Sequence, residues 1–246
     1  MKLVLLRHGQ SEWNLENRFT GWEDVSLTSD GIDEAKFSGN QLLKNDISIN
    51  SIYTSLLKRA IHTTDIVIDI IGFPKNKVNY DWHLNERHYG ALQGLNKSET
   101  AKKYGEDQVH IWRRSYDIPP PSISDDDKRH PKFNSKFDHI DDILPTGESL
   151  KNVIDRLEPF WKTYVDEIKK SKGNHLIVGH SNSLRAIVKI LDKLSDKEIV
   201  SVNIPTGVPL VYTLNNSLEV VSKEYLIKNN ELIKKQEIIA NQGKAI

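Results

Sequence analysis

Leu3-Val4-Leu5-Leu6-Arg7-His8-Gly9 opens the chain with four apolar residues in a row, succeeded at once by a charged turn. An apolar run without polar alternation describes a strand buried on both faces, as in a parallel sheet covered by helices on either side. The next segments suit such a sheet. Leu27-Thr28-Ser29-Asp30-Gly31 offers Thr28 or Ser29 as the cap of a helix through Ile32 to Leu43 and on to Lys44. Ser51-Ile52-Tyr53-Thr54-Ser55 reads as a second strand, and Arg59 to Ile71 as a helix whose apolar face is Ala60, Ile61, Val67, Ile68 and Ile71. Strand, helix, strand, helix is the alternation of an α/β sheet.

That alternation returns late in the chain. Glu148 to Lys170 has helical spacing, with Leu157, Phe160, Trp161, Tyr164 and Ile168 as core candidates and Gly173 as its end. Leu176-Ile177-Val178 is a third buried strand, running into Gly179-His180-Ser181-Asn182. Leu184 to Leu194 is the next helix, and Leu210 to Leu214 a late strand. Between these halves, residues 82–145 are rich in His, Arg, Asp and Pro, with Pro119-Pro120-Pro121 inside. They are expected to form an inserted lid rather than sheet, because long segments without hydrophobic period tend to be functional lids or linkers. The stretch at about 227–246 is polar and poor in apolar residues, and is expected to be a frayed helix or a flexible tail.

The 246 residues suffice for one domain with a full core. Lys+Arg and Asp+Glu both number 34, so no bulk charge draws the chain to nucleic acid or a membrane surface, and local clusters must do any anion binding. With no cysteine there is no disulfide framework and no thiolate metal site, which fits a reducing cytoplasm. The start lacks the pattern of a signal peptide, and no apolar run approaches the roughly 20 residues of a membrane helix.

Two strand ends carry histidine, and they are the features that point to chemistry. After the first, a short turn lets Arg7 and backbone amides surround an anion, with Gly9 permitting close backbone approach. An imidazole whose ordinary pKa is about 6.5 can be neutral near pH 7, so His8 can attack phosphorus without a separate base. Phosphoryl transfer depends on positioning and charge stabilisation, and Arg7, Arg59 and His180 are available to hold the phosphoryl oxygens.

Arg7-His8-Gly9 continues as Gln10-Ser11-Glu12-Trp13-Asn14, with Arg59 opening a helix and a second histidine at a later strand end. That set closely resembles the histidine phosphatase superfamily. The narrower likeness, to its cofactor-dependent phosphoglycerate mutase family, rests on motifs spread over nearly the whole chain. They are Thr20-Gly21-Trp22, the run from Leu84 to Gly90, the run from Leu92 to Lys97, Trp112 to Asp117, Glu148-Ser149-Leu150 and Asn182 to Ala186. The resemblance implies a three-layer α/β/α fold with a mostly parallel central sheet, and a step of glycolysis and gluconeogenesis. It makes His8 the phosphohistidine, Glu86 the general acid and base, and Arg7, Arg59 and His180 the phosphoryl clamp. Gly9, Gln10, Ser11, Glu12, Trp13, Asn14, Thr20 and Gly21 are implied around the substrate. So are Arg87, His88, Tyr89, Lys97, Arg113, Arg114, Ser181 and Asn182, with Tyr89, Lys97, Arg113 and Arg114 on the carboxylate and the non-reacting phosphate. It further implies 2,3-bisphosphoglycerate as primer, phosphoglycerates as the small-molecule partners, and a homodimer or homotetramer.

One position departs from the family pattern, which has glycine where Ser181 comes after the second histidine. A serine there is strained if the turn needs positive φ. Leu144 to Ser149 is a lesser variant, and Thr146-Gly147 reads as the lead into a helix. His62, His83, His110, His130, His139 and His175 are assigned to surface or structural roles, and His88 stays open beside the acid. Asp125 to His130 reads as a solvated loop. No histidine spacing suggests a metal site. Three other functions compete: a phosphatase of the same superfamily, a bisphosphoglycerate synthase or phosphatase, and a catalytically dead phosphate-binding scaffold. The inserted Trp112 to Asp117 motif argues against the first, and the presence of His8, Glu86 and His180 against the last.

Overall fold

Strand β1 (Lys2–Arg7) lies inside the sheet, and its alternate side chains feed two different cores. Leu3 and Leu5 pack with residues of one face, Val4 and Leu6 with those of the other, and all four are fully buried. A strand covered on both faces has no use for polar alternation, which is why this run reads as continuously apolar. The structure, a computed structural model, describes residues 1–171, 173–242 and 244.

The other elements come in chain order. A single turn α1 (Glu12–Leu15) precedes α2 (Ser29–Lys44), where Thr28 is the cap and accepts from the Gly31 amide. Next come β2 (Ser51–Thr54), α3 (Lys58–Ile71) and a short strand β3 (Val78–Tyr80). The segment read as a lid contains α4 (Lys97–Tyr104), α5 (Glu106–Arg114) and four short 3-10 turns, and among its described residues there is no strand. After it come α6 (Leu150–Ser171), β4 (His175–Gly179), α7 (Ser181–Asp192), the turn α8 (Glu198–Ser201), β5 (Leu210–Leu214) and β6 (Val220–Tyr225).

Among the described residues the sheet has six strands in the order β3-β2-β4-β1-β5-β6. The pairs β3–β2, β2–β4 and β4–β1 are parallel, whereas β5 and β6 run antiparallel at the far edge. Helices α2 and α3 cover one face, with Leu42, Ala60, Val67 and Ile68 over Val4, Leu6, Leu176 and Val178. Helices α6 and α7 cover the other, with Leu157, Phe160, Tyr164, Leu184 and Ile187 over Leu3, Leu5 and Ile177. The three-layer α/β/α arrangement with a mostly parallel sheet is therefore present.

The C-terminal stretch, read as a frayed helix or a flexible tail, takes the helical form. Residues Asn229–Asn241 form a helix, α9, with Ile239 buried and Lys235 paired to Glu34 at 2.7 Å. Composition gave no sign of its docking, because the helix is seated through one buried apolar side chain and polar contacts rather than through an apolar stripe. Residues 243, 245 and 246 of that stretch lie outside the described residues. Among the described residues no helix is long and apolar enough to cross a membrane.

Candidate active site

Parallel register brings the two histidines together. Arg7 of β1 stands opposite Gly179 of β4, so the next residue on each strand, His8 and His180, emerges at the same carboxyl edge. That edge is where open α/β sheets bind ligands. The His8 amide donates to the Gly179 carbonyl at 3.0 Å, and the two imidazole centroids are 4.9 Å apart.

Their neighbours settle the proton on His8. Nδ1 is 2.7 Å from the Gly9 carbonyl, which only accepts, and Nε2 is 3.2 Å from Nε of Arg59, which only donates. Nδ1 therefore carries the hydrogen, and Nε2 keeps its lone pair, which accepts from Arg59 at the cavity wall. Burial, and then the positive charges of Arg59 and Arg7, hold the His8 pKa well below its ordinary value, so the ring is neutral at neutral pH. This is a nucleophile that needs no base to uncover it. His180 is lowered likewise by burial and by Arg59, and its Nε2 is 2.7 Å from Ser55 Oγ.

Around the histidines lies a cavity of about 50 Å³ lined with cations: Arg7, Arg18, Arg59, Lys97, Arg113, Arg114 and Arg185. Arg59 is fixed by the carbonyls of Glu23 and Gly21, both 2.9 Å from its guanidinium, and Arg7 by the Ile204 carbonyl at 2.9 Å. Burial lowers Arg59 and Arg113 to about 10 and Arg185 to about 9, all still protonated at neutral pH. Lys97 is pushed well down by burial and by Arg113 and Arg7. Crowding desolvated cations is costly without counter-ions, so the site is built for an anion. One carboxylate, Glu86, shares the lining. Its Oε1 accepts from the Arg87 amide at 2.8 Å and from the amide and Nδ2 of Asn182 at 3.0 Å each. Among the described residues no three or more His, Cys, Asp or Glu side chains gather as a metal-holding group.

Of the residues proposed from sequence, Arg7, His8, Asn14, Thr20, Arg59 and Glu86 line this cavity, and so do Tyr89, Lys97, Arg113, Arg114, Ser181 and Asn182. His180 touches it through the ring of His8. The others stand behind the lining. The Gly9 amide donates to Thr63, and a Cβ on Gly9 would lie 2.0 Å from the Gly31 carbonyl, so the close approach there is to α2. Gln10 donates from its amide to Glu34, Ser11 caps α1, and Glu12 is exposed. The Trp13 ring packs under Gly94. Gly21 holds positive φ (55°), which aims its carbonyl at Arg59. The Arg87 guanidinium stacks 4.5 Å over Tyr89 and donates to the Arg113 carbonyl.

His88 accepts from the Gly90 amide and is buried away from the cavity, so it belongs to the supporting structure. Ser181 opens α7 and is not among the residues at positive φ, so the strain expected for a serine there does not arise. Four lining residues were not proposed as site residues: Arg18, Arg185, Ile239 and Gln242. Arg185 lies within the Asn182 to Ala186 motif, which gives it no role of its own. Ile239 and Gln242 belong to the stretch read as a tail.

The chain matches the histidine phosphatase superfamily (branch 1) over residues 3–128 and 122–217. It is 50% identical over 245 residues, 99% of this chain and 98% of the other, to a 2,3-bisphosphoglycerate-dependent phosphoglycerate mutase of Bacteroides fragilis. To the protein of that name from Hydrogenobaculum sp. it is 49% identical over 244 residues, 99% of each chain. Among solved structures it superposes on a mycobacterial glucosyl-3-phosphoglycerate phosphatase with TM-score 0.68 at 22% identity, covering 93% of this chain and 98% of that one. An alpha-ribazole phosphatase from Shigella flexneri gives 0.66 at 21%, covering 90% and 95%. At that identity the structural likeness shows the fold.

Proposed function

The chain belongs to the histidine phosphatase superfamily, and from that membership we propose that it is a phosphoglycerate mutase that carries a phosphoryl group on His8 Nε2. It interconverts 3-phosphoglycerate and 2-phosphoglycerate. One observation supports this over simple hydrolysis. The nucleophile, held between Arg7 and Arg59, shares its cavity with a second cation group, Lys97, Arg113 and Arg114, contributed by α4 and α5. A substrate with a non-reacting phosphate and a carboxylate needs such a second clamp, and planar guanidinium forks suit both groups.

The residues also fit 2,3-bisphosphoglycerate. The buried Nε of Arg7 has no partner among the described residues, and the lining cations outnumber the one carboxylate. Arg7 and Arg59 would hold the phosphate facing Nε2, and Lys97, Arg113, Arg114 and Tyr89 the rest. When bound, this primer supplies the phosphoryl group that loads His8. From there the chain's own residues carry the reaction. A substrate hydroxyl attacks phosphorus, the O–P bond forms as the Nε2–P bond breaks, and the electron pair returns to Nε2. Glu86 takes the hydroxyl proton, and in the reverse half-reaction gives it back to the leaving oxygen. The arginines balance the oxygens' charge throughout. Ile239 and Gln242 help enclose the cavity, which keeps water from the phosphohistidine.

The test is turnover of the purified protein on 3-phosphoglycerate, with and without trace 2,3-bisphosphoglycerate, with phosphate release followed in parallel. Primer-stimulated 2-phosphoglycerate with little phosphate is expected, and its loss in His8→Asn. Phosphate release without isomerisation would assign the chain to the phosphatases instead.

A further inference from the structure

Arg185 lies on the first turns of α7, 1% exposed, and the proposed chemistry gives it no part. Its Nη2 donates to the Ile199 carbonyl of α8 at 2.7 Å, and its Nη1 to Oδ1 of Asn182, three residues earlier on the same helix face, at 3.0 Å. A guanidinium has donors only, so the Asn182 atom facing it must be the oxygen, and the amide cannot turn over. Nδ2 is thereby aimed at Oε1 of Glu86, where it joins the Asn182 and Arg87 amides. Three N–H donors converge on Oε1, and none of the described residues donates to Oε2. An oxygen that accepts three hydrogen bonds has no room for a proton of its own.

Resting on the assignment of Glu86 as acid and base, we infer that Arg185 is a positioning residue: through Asn182 it saturates Oε1 of Glu86 and leaves Oε2 as the atom that carries the catalytic proton. During transfer to a substrate hydroxyl, the O–H bond breaks and its proton bonds to Oε2 while O–P forms and Nε2–P opens. The reverse half-reaction returns that proton from Oε2. Arginine is required for its fork. One nitrogen must reach α8 while the other grips Asn182, and a lysine, a single point donor, cannot do both.

The experiment compares kcat, KM and the pH profile of kcat for the wild type, Arg185→Lys, Arg185→Met, Asn182→Asp and Glu86→Gln. Arg185→Lys keeps the charge and loses the fork. Asn182→Asp keeps the bond from Arg185 and sets an oxygen against Oε1, which makes it the second variant should Arg185 changes unfold the chain. Both Arg185 variants and Asn182→Asp are expected to lose about 10- to 100-fold in kcat, as for a displaced catalytic group, with KM within about twofold. The pH profile of kcat is expected to change with it, since a hydrogen bond to the carboxylate is lost. Arg185 itself acts on Glu86 through its charge, which Arg185→Lys keeps, and the other charged and titratable groups facing Glu86, namely Arg7, Arg59, Tyr89 and Lys97, are unchanged in all of them. Wild-type kcat and pH profile in Arg185→Lys and Asn182→Asp, or a rise in KM alone, would overturn the positioning role. Glu86→Gln separates the two failures. If it keeps its turnover, Glu86 is not the acid and base, and the premise falls before Arg185 is reached.

Discussion

Three buried histidines are neutral because of where they sit. Burial lowers His88 to about 3, and burial with neighbouring arginines holds His8 and His180 well below their ordinary value. In the unfolded chain each regains a pKa of about 6.5. Below that pH the unfolded state binds protons that the folded state refuses, so stability present above pH ~6.5 is lost as pH falls toward the folded values. Each such histidine steepens the loss by about 1.4 kcal/mol per pH unit. His88 tests this without disabling the nucleophile. In His88→Asn the side-chain oxygen can still accept from the Gly90 amide, now without a titrating ring. Urea unfolding between about pH 7.5 and about pH 5 should give a shallower decline for the variant, by roughly that slope. Equal slopes would mean that His88 protonates in the folded chain as freely as in the unfolded one.

Helix α9 shows what a secondary element can contribute without belonging to a core. Lys235 pairs with Glu34, whose other carboxylate oxygen accepts from the Gln10 amide, while Gln236 donates to the Asn203 carbonyl and Gln242 accepts from Lys97. A half-exposed ion pair of this kind stabilises by no more than about 1 kcal/mol, so the seat is held by several weak contacts. Ile239 and Gln242 line the cavity, so α9 closes one side of it. Removing residues 229–246 should therefore leave the sheet and both main cores folded. It should slow isomerisation by roughly tenfold or more and raise phosphate release relative to it, since water then reaches phosphorylated His8. An unchanged ratio of the two rates would sink the idea. The seat of this helix, rather than its helical form, is what sequence reading did not reach. β1, α2, α3 and α7 were legible because dense apolar residues repeat with the period of their element. β3, with only Val78 buried, and β6, with no buried residue, are edge strands and announce nothing. In the site, the motifs pointed to His8, Glu86 and the arginines. Arg185 acts through Asn182 inside a motif read only as a whole, and Gln242 meets Lys97 from the far end of the chain, a pairing that no local pattern encodes.

Across the whole molecule charge sums to zero, yet it is far from evenly placed. Arg7, Arg59, Lys97, Arg113, Arg114 and Arg185 are buried about one cavity with Glu86 as its acidic member, a concentration that net charge conceals. Their lowered pKa values are the sign that the free protein holds these charges at a cost in stability, and an anionic ligand offsets it. One titration reads both the cost and the offset. Added 3-phosphoglycerate should raise the unfolding free energy by RT ln(1 + [L]/Kd), about 2.7 kcal/mol at a hundredfold excess over Kd. Arg113 is the cation to remove, because its guanidinium faces Arg114 and Arg87 and burial is the main force on it. Without ligand, Arg113→Met should be more stable than the wild type by about 1 kcal/mol, the scale typical of relieving a functional strain. With ligand, most of its gain should vanish, because the clamp on the non-reacting end is weakened. Urea melts at low ionic strength, with and without 3-phosphoglycerate, measure both effects. If Arg113→Met is less stable than the wild type when free and gains as much from ligand, the crowded cations are structural supports rather than a site held ready for an anion.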